Sequence, residues 1–81
     1  MTHRLHCSYA PIYEVVQSEL HGEDGAYIAF GITCRRKNSS VIQTIHDIST
    51  EKELVEGMAA LFNMCRLPVD CFKDAVIALI S

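Results

Sequence analysis

At 81 residues the chain is the size of one domain, and a domain this small buries only about 60–65% of its unfolded surface, so its core is thin. A hydrophobic fraction of 49% with 21% charged residues marks a globular chain, and a formal charge of −3 excludes a general attraction to nucleic-acid backbones. No apolar run approaches the length of about 18 residues that spans a bilayer, the N-terminus lacks the apolar centre of a secretory signal, and Cys7, Cys34, Cys65 and Cys71 show no CxxC spacing. These features describe a cytoplasmic protein with reduced thiols.

Residues 1–8 read as a flexible tail. After it, 12–20 (IYEVVQSEL) and 26–36 (AYIAFGITCRR) are rich in β-branched and aromatic residues and flank His21-Gly22-Glu23-Asp24-Gly25. That pattern predicts two strands joined by a hairpin loop of about five residues. In the second strand Ala26, Ile28, Phe30, Ile32 and Cys34 alternate with Tyr27, Ala29, Gly31, Thr33 and Arg35, which gives one wholly apolar face and one mixed face. A polar turn at 36–40 leads into a third strand, Val41 to Ile48.

The segment 47–65 (DISTEKELVEGMAALFNMC) carries the signals of a helix. Thr50 followed three residues later by Glu53 has the form of a capping box, with Ser49 as a competing cap. Leu54, Val55, Met58, Leu61, Phe62 and Cys65 recur on one stripe, while Lys52, Glu53, Glu56 and Asn63 fall mainly on the other side. Gly57 costs such a helix about 1 kcal/mol relative to alanine, so packing of the stripe has to hold it. The Arg66-Leu67-Pro68 corner ends this helix, because the residue before proline is pushed out of the α region. Proline then opens a second helix, with Val69, Phe72, Ala75, Val76 and Leu79 at helical spacing and Ile77 and Ile80 widening the apolar arc.

The expected fold is therefore α+β: a three-stranded antiparallel β-meander followed by two α-helices packed on one face of the sheet, β-β-β-α-α. The other face stays open, and Tyr13, Tyr27 and Tyr9, with Val15, Ala29 and Ile42, are the residues assigned to it. Tyrosine is enriched at interfaces, since it joins a large apolar ring to a polar tip.

The pieces Tyr13-x-Val15, Gly25-x-Tyr27, Phe30-Gly31-Ile32, Asp47-Ile48-Ser49-Thr50 with Glu53-x-Val55, and Leu67-Pro68 resemble a family of short proteins of unknown function from clostridia-like Firmicutes. The resemblance covers about residues 12 to 80, with the Asp-Ile-Ser-Thr segment its most specific part. It implies a bacterial, cytoplasmic setting and carries over no functional residues.

Chemistry in the sequence is sparse. His3, His6 and Cys7 suit zinc or copper, but three ligands on a tail make a weak site. Cys71, beside the start of the second helix, is the best-placed thiol, while Cys34 and Cys65 lie in phase with apolar neighbours and read as packing residues. Arg35-Arg36-Lys37 reads as a solvated turn, and no glycine spacing builds a phosphate loop. The expectation is a non-enzymatic protein-binding or regulatory module without a cofactor. It would act on a protein partner or on itself as a dimer, through Tyr13, Tyr27, Ile42, Ile77 and Ile80. The alternative is a thiol- or metal-dependent activity using Cys71 or the His3, His6 and Cys7 cluster.

Overall fold

A computed structural model describes residues 11–36 and 41–80. The His3, His6 and Cys7 cluster, the expected N-terminal tail, Tyr9 and Lys37 lie outside the described residues. Three strands form one antiparallel sheet in the order β1-β2-β3: β1 is Ile12–Gly22, β2 is Gly25–Arg35 and β3 is Val41–Ser49. Helix α1, Lys52–Met64, follows, then a single 3₁₀ turn, Val69–Cys71, that runs into α2, Phe72–Ile80. The chain is thus the β-β-β-α-α meander with two helices that its patterning predicts.

The first hairpin is tighter than expected. Gly22 pairs with Gly25, so only Glu23 and Asp24 lie between the strands, and the positive φ of Gly25 (115°) supplies the conformation that lets β2 begin at once. Pairing of β1 with β2 is then continuous from Gly22↔Gly25 to Ile12↔Arg35, without a bulge. On the far side of this register Arg35 grips Glu14 through two bonds of 2.9 Å, and the guanidinium holds the Glu14 carboxyl below its ordinary range.

Pairing of β2 with β3 is irregular. While β2 steps from Ile32 to Phe30, β3 advances from Ile45 to Ser49. Gly31 sits at this shift, and a Cβ there would collide with the carbonyl oxygens of Ile45 and His46. The missing side chain lets the bulged backbone of β3 settle over β2, and it turns Ile45 and Ile48 toward the core.

The core lies between the sheet and the helices. Tyr13, Ile32 and Cys34 from the sheet meet Val55, Met58, Ala59 and Phe62 of α1 and Phe72 and Val76 of α2. At its centre Tyr13, Phe62 and Phe72 make three edge-to-face ring contacts, with centroids 5.1 to 6.1 Å apart. Such contacts add about 0.5–1.5 kcal/mol each to the area they bury.

The buried stripe of α1 is narrower than the spacing suggests. Val55, Met58, Ala59 and Phe62 face the sheet, whereas Leu54, Leu61 and Cys65 are exposed along its flank. Three strands are too narrow to cover a whole apolar arc.

The start of α1 differs from expectation, while its end falls at the expected corner. No capping box forms: the chain stays extended through Glu51 (φ −96°, ψ 106°), which is the N-cap and makes no side-chain cap bond. The cause is β3, which holds Asp47 and Ile48 in the strand and pairs Ser49 with Phe30, so Thr50 is too early to cap. Ser49 Oγ instead accepts the Glu51 N–H at 3.0 Å. At the other end Leu67 N–H donates to Phe62 O (3.0 Å) and Arg66 N–H to Asn63 O (3.3 Å), the bond pair of a Schellman stop. Arg66 adopts φ 53°, a position usually held by glycine.

Candidate interaction surface

The structure distributes the expected surface residues over four separate places. Tyr13 is not on the open face: it pairs with Cys34, on the helix side of the sheet, and is 2% exposed. Its hydroxyl donates to the Leu67 carbonyl at 2.6 Å, so ring and polar tip are both used internally. Burial, with the Cys34 thiol beside it, pushes the Tyr13 phenol well above its ordinary range. Val15 likewise packs against the core. The poor alternation of β1 hid this register, since Val15 and Val16 are adjacent and only the pairing decides which points inward.

Tyr27 and Ile42 are exposed but not neighbours. Tyr27 pairs with Leu20 near the hairpin tip, whereas Ile42 follows Val41, which pairs with Arg35 at the opposite end of β2. Eight residues of strand separate Tyr27 from Arg35, about 26 Å at 3.3 Å per residue. Between them the face is closed by small residues and its own flanks. Ala29 is fully buried and Thr33 nearly so, with Thr33 Oγ1 and Thr44 Oγ1 2.8 Å apart. His46 Nδ1 reaches to 3.5 Å from Ser18 Oγ, a contact from β3 to β1 that the small Ala29 and Gly31 leave room for. Of the tyrosines expected on this face, Tyr13 is buried on the helix side, Tyr27 is exposed near the hairpin tip and Tyr9 lies outside the described residues.

Ile77 and Ile80, by contrast, border a defined feature. Beside β3, α2 leaves a groove of about 290 Å³ with apolar walls. Ile45 and Ile48, with Gln43, line it from β3, and Val76, Ile77 and Ile80 line it from α2. Asp47 and Lys73 supply charges of opposite sign among the lining residues. The groove runs along β3, which among the described residues is an edge of the sheet and pairs on one side only. Sequence periodicity found the α2 half, through the widened arc. It missed the β3 half, because the bulge that turns Ile45 and Ile48 to the same side breaks strand alternation.

The thiols are dispersed in role. Cys34 is buried in the core, where desolvation raises its pKa, so it is a packing residue as its spacing suggests. Cys65 is exposed, contrary to the same reading, because α1 turns its Val55-Met58-Phe62 stripe to the sheet and ends at the Cys65 C-cap. Cys71 is exposed at the end of the 3₁₀ turn, where its N–H donates to the Pro68 carbonyl at 2.9 Å. Among the described residues no group of three or more His, Cys, Asp or Glu side chains is placed to hold a metal ion. No helix among the described residues is long and apolar enough to cross a membrane.

Comparison with protein-family models, with curated proteins and with solved structures returned no match.

Proposed function

We propose that the protein is a small non-catalytic binding module, working in the bacterial cytoplasm, whose site is the groove between α2 and β3. Its occupant is an extended apolar segment of a partner protein. The single observation that carries this reading is the pairing of an apolar trough with a sheet edge: Ile45, Ile48, Val76 and Ile80 line the groove alongside the one-sided strand β3. An edge strand offers main-chain N–H and C=O groups to an added strand, and a neighbouring groove takes its alternate side chains. A volume of about 290 Å³ is at the lower limit of small-molecule sites, and suits a few aliphatic side chains better than a cofactor. The opposite charges of Asp47 and Lys73 give a bound segment a preferred direction. Free Cys34, Cys65 and Cys71 support the cytoplasmic setting.

The test is selection of peptides from a displayed library against the intact protein, followed by titration of a selected peptide into labelled protein observed by NMR. Shifts should concentrate on β3 and α2, and Ile80→Lys should weaken binding at least tenfold while leaving the spectrum of the core intact. Shifts that map away from both elements, or an Ile80→Lys variant that binds as well as the parent, would overturn the proposal.

A further inference from the structure

The opposite edge of the sheet points to a second partner surface, independent of the groove. The ribbon of β1 and β2 outruns helix α1. Eleven-residue strands reach about 36 Å, whereas the 13 residues of α1 cover about 20 Å. From Glu19 to Ile28 the hairpin is exposed apart from a half-buried Leu20, with Tyr27 and Ile28 both 40% accessible. A two-stranded ribbon standing alone in water is marginally stable.

The outer edge of this ribbon is β1, and among the described residues nothing pairs with its main chain over a defined stretch. In an antiparallel ladder, alternate residues turn their N–H and C=O toward the partner strand and away from it. Tyr13 turns its pair outward, where Asn63 takes both. Val15, Gln17, Glu19 and His21 share that phase and present theirs at the open edge. This stretch has an unbroken register with β2, contains no proline and no lysine, and carries Glu19 as its one charged side chain, so its edge is only lightly protected.

We infer that two copies of the chain join through β1, antiparallel about a two-fold axis at Ser18, to make a continuous six-stranded sheet. Asn63 sets the register. With Tyr13 occupied, the alignment that pairs all four free residues places Val15 opposite His21 of the second copy and Gln17 opposite its Glu19, with Ser18 facing Ser18. Charge favours the same arrangement. The hairpin tip carries Glu23 and Asp24, while Arg35, already paired with Glu14, and Arg36 stand at the opposite end of the ribbon. Antiparallel pairing brings the acidic tip of each copy to the basic end of the other. The projecting half of each ribbon then gains a neighbouring strand, which the monomer does not provide.

Sedimentation equilibrium at near-millimolar concentration should give about twice the chain mass of 9.1 kDa. Gln17→Pro should return it to the monomer mass. The Gln17 N–H points away from β2, so proline there removes no bond within the chain, and an unchanged circular dichroism spectrum confirms the fold. Ser18→Cys, in a background where Cys7, Cys65 and Cys71 are serine, reports the register. Residue 18 faces itself across a non-hydrogen-bonded pair, about 4.5 Å between Cα atoms, so mild oxidation should cross-link most of the protein. Val16→Cys in the same background, opposite Leu20, should cross-link at least tenfold less. Glu23→Lys with Asp24→Lys should weaken the dimer several-fold at low salt. Ile80→Lys should leave the dimer intact, which separates this surface from the groove. A monomer at all concentrations, or equal cross-linking at positions 16 and 18, would overturn the inference.

Discussion

The side-chain amide of Asn63 stands in for a neighbouring strand beside Tyr13. Its Oδ1 accepts the Tyr13 N–H at 2.8 Å and its Nδ2 donates to the Tyr13 carbonyl at 2.9 Å, across 50 residues of sequence. The same tyrosine is pinned at its other end, where the hydroxyl reaches the Leu67 carbonyl in the corner after α1. One residue of β1 thus fastens the C-terminal end of α1 at three points, and its ring forms the centre of the aromatic core.

Asn63→Ala should destabilise the fold by about 1–2 kcal/mol, because it removes two hydrogen bonds and leaves a main-chain donor and acceptor beneath the helix. Asn63→Asp should cost as much or more at neutral pH, since a carboxylate keeps the acceptor but faces the Tyr13 carbonyl without a donor. Urea denaturation of the three proteins checks this. An Asn63→Asp variant as stable as the parent would show that the Nδ2 bond contributes nothing.

Tyr13 also links stability to alkaline pH. Burial raises its pKa in the folded protein, whereas in the unfolded chain the phenol titrates near its ordinary value of about 10. The unfolded state therefore loses its proton first. The contribution is complete below about pH 10 and is lost as pH climbs from there toward the folded value. Tyr13→Phe should abolish this part of the alkaline loss, at a cost of about 1–2 kcal/mol at neutral pH for the unpaired Leu67 carbonyl. Denaturation midpoints of both proteins between pH 7 and 11.5 measure it, and parallel curves would contradict the assignment.

Gly31→Ala should prevent folding or cost more than about 3 kcal/mol, since the new Cβ meets backbone and not a movable side chain. Gly57→Ala is the control. Nothing lies within 4 Å of a Cβ there, so the same substitution should stabilise α1 by up to about 1 kcal/mol. Thermal melts of the pair should diverge in opposite directions, and a shared direction would refute the reading of the bulge.

These relationships mark what the amino-acid pattern could and could not convey. The second strand alternates cleanly, so Ile32 and Cys34 on the helix side are legible without coordinates. Proline at 68 and the run from Phe72 to Val76 likewise locate the corner and the second helix. Tyr13 is not legible in this way: its place in the core depends on pairing with Cys34, and β1 carries adjacent valines that suit either face. The groove was half visible, since Ile77 and Ile80 stand out on a helical wheel while Ile45 and Ile48 share a wall only because of the bulge at Gly31. The capping box failed for a tertiary reason, as the pairing of Ser49 with Phe30 holds the chain extended past Thr50.

The stop of α1 gives the last expectation. Arg66 occupies the left-handed region at φ 53°, where a Cβ costs about 1 kcal/mol and glycine none. Arg66 also takes part in a further interaction, so its replacement mixes two effects. Comparing Arg66→Gly with Arg66→Ala removes that ambiguity, because both delete the guanidinium and only one keeps the Cβ. The glycine variant should be more stable than the alanine variant by about 1 kcal/mol, read from urea midpoints with equal slopes. Equal stability would mean that the corner relaxes out of the left-handed region when the arginine is removed. In that case the Leu67 N–H to Phe62 bond, whose amide should exchange slowly with solvent in the glycine variant, would lose its protection in the alanine one.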